Sequence, residues 1–120
     1  MAYARGDVVL VPFPFTDLST TRVRPAVVVS SDEYNEQGSD LIVAMLTSQP
    51  QTGPTDCSLR DWQEAGLLHP SWVRAKLATL EQGLIQFSPG HLSAGDVAAV
   101  DVRLSRALGL RQPRVRSRSG

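Results

Sequence analysis

Three short apolar runs mark the first half of the chain: Val8 to Val11, Ala26 to Val29 and Leu41 to Leu46, each rich in β-branched residues and bounded by Pro, Gly, Asp or Ser. Runs of this length predict strands, and their unbroken apolar character predicts burial on both faces. Between Ser71 and Leu80 the pattern changes: Val73, Ala75 and Leu77 alternate with Trp72, Arg74 and Lys76. That period of two predicts a strand with unlike faces, one of which presents two cations. Gln82-Gly83 then predicts a turn into Leu84 to Phe87 as a hairpin partner.

A helix is expected to close the fold. Ser93 with Asp96 three residues on makes a capping-box pattern, and Leu92 and Val97 are spaced for a hydrophobic staple. Val97, Val100, Leu104 and Leu108 form one apolar stripe at helical spacing, and Gly109 sits where a left-handed cap is wanted. Asp61 with Glu64, ended by Gly66, predicts one further helical turn, and Asp32 to Asn35 another. About five short strands with one late helix predict a mainly β protein with α, a small, strongly bent sheet or barrel. A parallel doubly wound fold would need a helix between successive strands. Thr16 to Val23 and Gln49 to Thr55 are polar, lack periodicity and follow apolar strands, so function is expected there.

With 120 residues, 42% hydrophobic and 20% charged, the composition fits one core and hence one domain, assigned to residues 1–110. Twelve Lys and Arg balance twelve Asp and Glu, which excludes a wholesale basic coat for nucleic acid. The balance is uneven along the chain. Arg111, Arg114, Arg116 and Arg118 lie in the last ten residues, which leaves eight basic against twelve acidic residues, or −4, for residues 1–110. The segment 111–120, in which only Val115 is apolar, is expected to be a disordered basic tail. The longest apolar stretch, Val8 to Phe15, is broken by Pro12 and Pro14 and falls far short of the roughly 20 residues that span a bilayer. No membrane association is expected, no secretory signal is evident, and the cytoplasm is the expected location. Cys57 is the single cysteine, and His69 and His91 share no metal-ligand spacing with it, so neither a metal nor another cofactor is expected.

A particular order of segments carries more information than composition. Arg5-Gly6-Asp7-Val8-Val9-Leu10-Val11 is followed by Phe13-Pro14-Phe15-Thr16-Asp17 and then by Arg24-Pro25-Ala26-Val27-Val28-Val29-Ser30. Ala44-Met45-Leu46-Thr47-Ser48, Ser71-Trp72-Val73-Arg74 and Lys76-Leu77-Ala78-Thr79-Leu80 complete the series. This order, running over residues 5–108, resembles the MazF/PemK family of toxins. The resemblance implies an SH3-like barrel of the MazF/PemK/CcdB type with a C-terminal helix, assembled as a homodimer. It also implies metal-independent, sequence-selective endoribonuclease cleavage of single-stranded RNA, chiefly mRNA, which inhibits translation and growth. A cognate antitoxin of the MazE/PemI kind would inhibit it, with DNA met only indirectly through the antitoxin complex.

By position, the family's catalytic arginine and threonine fall on Arg24 and Thr47. Cleavage through the ribose 2′-hydroxyl needs that hydroxyl deprotonated, the phosphorane charge stabilised and the leaving 5′-oxygen protonated. Arg24 suits the second task, since guanidinium offers planar paired donors and keeps its charge. Thr47 can bond a phosphate oxygen or relay a proton, and Ser48 is a weaker substitute. The general base is left unassigned. Arg22, Ser48, Arg74 and Lys76 are the candidate RNA contacts. Many relatives carry Gly and Glu just before the arginine, whereas Leu18-Ser19-Thr20-Thr21-Arg22-Val23 has neither, which leaves Asp17 as candidate acid against its role as a turn former. Trp62 and Trp72 are expected to pack and not to stack on bases, Cys57 to be a small buried hydrophobe, and His69 and His91 to serve turns or caps. Two rivals remain: a gyrase-poisoning toxin like CcdB, and an inactive paralogue that binds RNA or antitoxin. The gyrase-poisoning relatives use a C-terminal Trp-Gly-Ile, and this chain ends Arg118-Ser119-Gly120.

Overall fold

Strand β1 (Asp7–Phe13) runs antiparallel to β2 (Arg22–Val28), which runs antiparallel to β3 (Asp40–Thr47) after the short helix α1 (Asp32–Gln37), in a computed structural model that describes residues 3–13 and 22–111. A two-residue strand β4 (Cys57–Ser58) and the ten-residue β5 (Trp72–Glu81) follow, then a 3₁₀ turn over Gln82–Leu84, β6 (Phe87–His91) and the helix α2 (Ala94–Leu108). The six strands form one curled sheet in the order β4-β5-β3-β2-β1-β6, with every pair antiparallel. This is the mainly β, strongly bent sheet with a late helix that the pattern predicts.

Continuous apolar strands need cover on both faces, and alternation along β1, β2 and β3 supplies two separate cores. Val8, Val27, Ala44 and Leu46 pack with Val100 and Leu104 of α2. Val9, Val11, Ala26, Val28, Leu41, Val43 and Met45 form the second cluster on the opposite side, against Tyr3, Ala78, Leu80 and Ile85. Cys57 is 3% exposed within the first cluster, and burial pushes its thiol pKa up, with Asp96 adding to the rise and Arg103 opposing it. Trp62 packs against the same cluster, as expected of it. Trp72 is half-buried and pairs with Thr47 across the ladder.

Four expectations change. Leu84 to Phe87 is not a hairpin partner of β5. Leu84 ends the 3₁₀ turn, and β6 crosses to the outer edge of β1, where Phe87 faces Leu10 and Ser88 Oγ donates to the Val8 carbonyl at 2.9 Å. The reason lies in β1, which is apolar on both faces and would otherwise leave a row of backbone groups unpaired. Pro89 is tolerated because β6 is an edge strand. Second, the apolar stripe of α2 ends at Leu104; Leu108, in the last turn, is 54% exposed. Third, Asp61–Glu64 forms tight turns without a helix, closed by Ala65 N–H donating to the Asp61 carbonyl and Gly66 N–H to Gln63. Fourth, Arg22 and Val23 belong to β2 and not to the polar loop. The rest of that loop, Thr16 to Thr21, and the tail beyond Arg111 lie outside the described residues.

The start of α2 is more elaborate than a capping box. Ser93 Oγ accepts from Asp96 N–H at 3.2 Å, as the pattern predicts, and donates to Asp61 Oδ2 at 2.7 Å. The Asp96 carboxylate does not turn back to Ser93; it accepts Arg60 N–H at 3.0 Å and Asp61 N–H at 2.8 Å. At 4% exposure this carboxylate ties the 60–66 turns to the helix. Gly109 takes the left-handed conformation foreseen for it, with φ 70°. No helix among the described residues is long and apolar enough to cross a membrane.

Candidate active site

The register of the central strands places the two foremost candidates opposite one another. In the β2·β3 ladder Val28 faces Val43, Val27 faces Ala44 and Ala26 faces Met45. Two residues further along each strand, just past the last paired residues, come Arg24 and Thr47. Cross-strand partners share a side of the sheet, so alternation brings a guanidinium and a hydroxyl to the same place from residues 23 positions apart in sequence.

Arg24 and Thr47 line one cavity of about 710 Å³ together with Ser48 and Arg74. Leu10, Pro25, Met45 and Leu46 contribute from β1, β2 and β3, and Gln49 and Gln51 from the following loop. The remaining wall consists of Gly66, Leu67, Leu68 and His69 from the 66–69 segment, with Ser71, Phe87 and Pro89. Thr47 Oγ1 accepts the Gln49 N–H at 3.1 Å, so its own proton is available to donate toward the cavity. The Arg74 guanidinium is held from the far side of the loop: its Nε lies 3.9 Å from Asp56 Oδ1, and Asp56 Oδ2 also accepts the Gly53 N–H at 3.2 Å. That Nε is buried with no hydrogen-bond partner among the described residues. Arg103 of α2 pins the same loop by donating Nη1–H to the Pro54 carbonyl at 2.7 Å.

The wall opposite depends on backbone meeting backbone. Gly66 has φ +82°, and a Cβ there would stand 2.5 Å from the Pro89 carbonyl oxygen. A Cβ on Gly90 would stand 2.3 Å from the Ala65 carbonyl oxygen. Glycine at 90 therefore lets β6 lie directly against the 65–66 turn, and it sets where Leu67 to His69 run. We expect Gly90→Ala to destabilise the protein by about 1–3 kcal/mol through overpacking, and to reduce activity as the wall is displaced. An unchanged melting temperature would show that the turn yields freely.

Of the residues singled out by sequence, the structure unites Arg24, Thr47, Ser48 and Arg74. Lys76 is exposed on β5 and does not line the cavity. Arg22 pairs with Phe13 in the ladder, but its side chain lies outside the described residues, as does Asp17. His91 ends β6 and bonds Asp7 Oδ1 through Nδ1 at 2.7 Å, a strand-to-strand link and neither a turn nor a cap. His69, Leu68, Phe87, Gln49 and Gln51 line the cavity without having been assigned to it. Their only sequence signal was membership of aperiodic segments, or, for Phe87, of a strand given the wrong neighbour. Phe87 and Leu68 are 60% and 85% exposed, an apolar rim beside two arginines. Among the described residues no group of three His, Cys, Asp or Glu side chains comes together to hold a metal.

An open, curled antiparallel sheet backed by one helix, with a cavity that sets guanidinium groups beside hydroxyls, defines a small half-barrel with an anion-receptive site. The chain belongs to the family of PemK-like, MazF-like toxins of type II toxin-antitoxin systems, whose model matches residues 4–108. The fold is shared with a mycobacterial endoribonuclease solved in complex with its cognate antitoxin, at TM-score 0.78 and 23% identity over 93% of this chain and 100% of that one. It is shared likewise with the Mycobacterium tuberculosis toxin MazF-mt6, at TM-score 0.74 and 17% identity over 88% and 99% of the two chains. The MazE-MazF complex of Deinococcus radiodurans aligns at TM-score 0.69 and 22% identity, over 92% of this chain and 99% of its counterpart. No curated protein sequence matches the chain.

Proposed function

We propose that this protein is a sequence-selective endoribonuclease toxin that cleaves single-stranded RNA by attack of a ribose 2′-hydroxyl on the adjacent phosphorus. The observation that carries the reading is the convergence of Arg24 and Thr47, from different strands, on one cavity that also holds Arg74. Arg24 and Arg74 offer charge and paired donors to the phosphate oxygens, and the interaction strengthens as the phosphorane gains charge. Thr47, whose oxygen is already engaged by Gln49 N–H, donates its proton to a phosphate oxygen or to the leaving 5′-oxygen. None of these steps calls for a metal ion. Two structural relatives are endoribonucleases, one of them solved with its cognate antitoxin bound, which supports this activity and its control by an antitoxin; an acidic antitoxin segment would compete with RNA for the cationic cavity.

The test is incubation of the purified protein, free of antitoxin and with chelator present, with a long unstructured RNA, followed by mapping of the cut ends. The expected products carry a 2′,3′-cyclic phosphate and a 5′-hydroxyl. Ends bearing a 3′-hydroxyl and a 5′-phosphate would rule out attack by the 2′-hydroxyl. Correctly folded protein that cuts none of several RNAs would rule out the ribonuclease.

A further inference from the structure

Cleavage through the 2′-hydroxyl needs a group to take its proton, and neither Arg24 nor Thr47 can do so: guanidinium stays protonated in proteins, and an aliphatic hydroxyl is no base near neutrality. We propose that His69 is the general base of this site, an assignment that rests on the ribonuclease reading above. His69 lines the same cavity as Arg24 and Thr47, and the neutral imidazole ring carries a nitrogen lone pair that can take up a proton, which no other described side chain of that lining offers. The charged groups that line the cavity with it are Arg24 from β2 and Arg74 from β5, and Asp56 Oδ1 lies 3.9 Å from the Arg74 Nε.

The local structure fixes the backbone of His69, whose side chain is exposed. Pro70 restricts His69 to extended backbone, and the His69 carbonyl accepts from Ser71 Oγ at 2.8 Å. On the other side the segment starts from Gly66, fixed against Pro89 of β6 by the close backbone approach. Exposure serves the role, because a base that turns over must release its proton to solvent.

In the step itself a ring nitrogen of His69 takes the 2′-hydroxyl proton as the 2′-oxygen bonds to phosphorus. The bond from phosphorus to the 5′-oxygen breaks, and that oxygen takes a proton from Thr47, which recovers one from water. The products are a 2′,3′-cyclic phosphate and a 5′-hydroxyl, and the imidazolium returns its proton to solvent.

The test compares single-turnover cleavage of one RNA by wild type, His69→Gln and His69→Ala from about pH 5 to about pH 9. The wild-type rate is expected to climb with pH and level off once the base is fully deprotonated. His69→Gln should be slower near neutrality by on the order of a hundredfold and climb without a break, and added imidazole should restore part of the His69→Ala rate. A break that persists in His69→Gln, or a wild-type rate in that variant, would overturn the assignment of His69 and leave the ribonuclease standing. A wild type that cuts no RNA would remove both.

Discussion

Arg24→Ala is expected to lower the rate of RNA cleavage by at least about a hundredfold, the usual loss when one donor to a transition-state oxyanion is removed. The side chain is half-buried at the mouth of β2, beyond the last β2·β3 pair, so its removal takes little from either core. The melting temperature should therefore stay near that of the wild type, which separates loss of chemistry from loss of fold. Arg24→Lys is the sharper comparison. It keeps the charge but replaces a planar fork by a point donor, and an intermediate rate is expected. Parallel single-turnover assays of the three proteins decide the matter; near-normal cutting by the alanine variant would remove Arg24 from the site.

The largest effect on stability is expected at Asp96. Its carboxylate is 4% exposed and accepts two backbone N–H groups, from Arg60 and Asp61. Alanine removes two charge-assisted hydrogen bonds and strands two donors, at a cost of about 3 kcal/mol. Asparagine keeps one oxygen in place and should recover part of the loss. Urea unfolding of the three proteins measures this directly. An alanine variant within about 0.5 kcal/mol of wild type, the range of ordinary surface changes, would mean that solvent or a neighbour satisfies those groups. The turns held by Asp96 run into the Gly66 to His69 wall, so slower cleavage by the folded variant is expected as well.

The strands β1, β2 and β3 were legible as short unbroken apolar runs, and β5 and the helix α2 as periodic patterns, signals that depend on each element's own residues alone. Arg24 and Thr47 were singled out as candidates through the order of segments around them, and the ladder explains why that order brings them to one cavity: both end the stretch of strand that the buried residues define. The failures share a cause. The place of β6 depends on which edge of the sheet lacks a partner, and nothing between Gln82 and His91 records that β1 is the open edge. Asp96 reads as half of a capping box, yet its carboxylate serves backbone groups 35 and 36 residues earlier. His69 sits in a stretch with no period, and its position is fixed by a contact between two backbones, Gly66 with Pro89, that leaves no trace in hydropathy. Two-residue β4 is too short to leave a pattern.

The pairing of β6 with β1 joins residues 80 apart, as in the bond from Ser88 to Val8, and the cavity takes lining from Leu10 at one end of the chain and from Phe87 and Pro89 near the other. During synthesis, then, a nascent chain can hold Arg24 and Thr47 in adjacent strands long before the cavity has its second wall. A polypeptide that has not yet extended past Pro89 lacks part of the surface that would grip RNA, so completion of the second wall sets the earliest point at which the site can act.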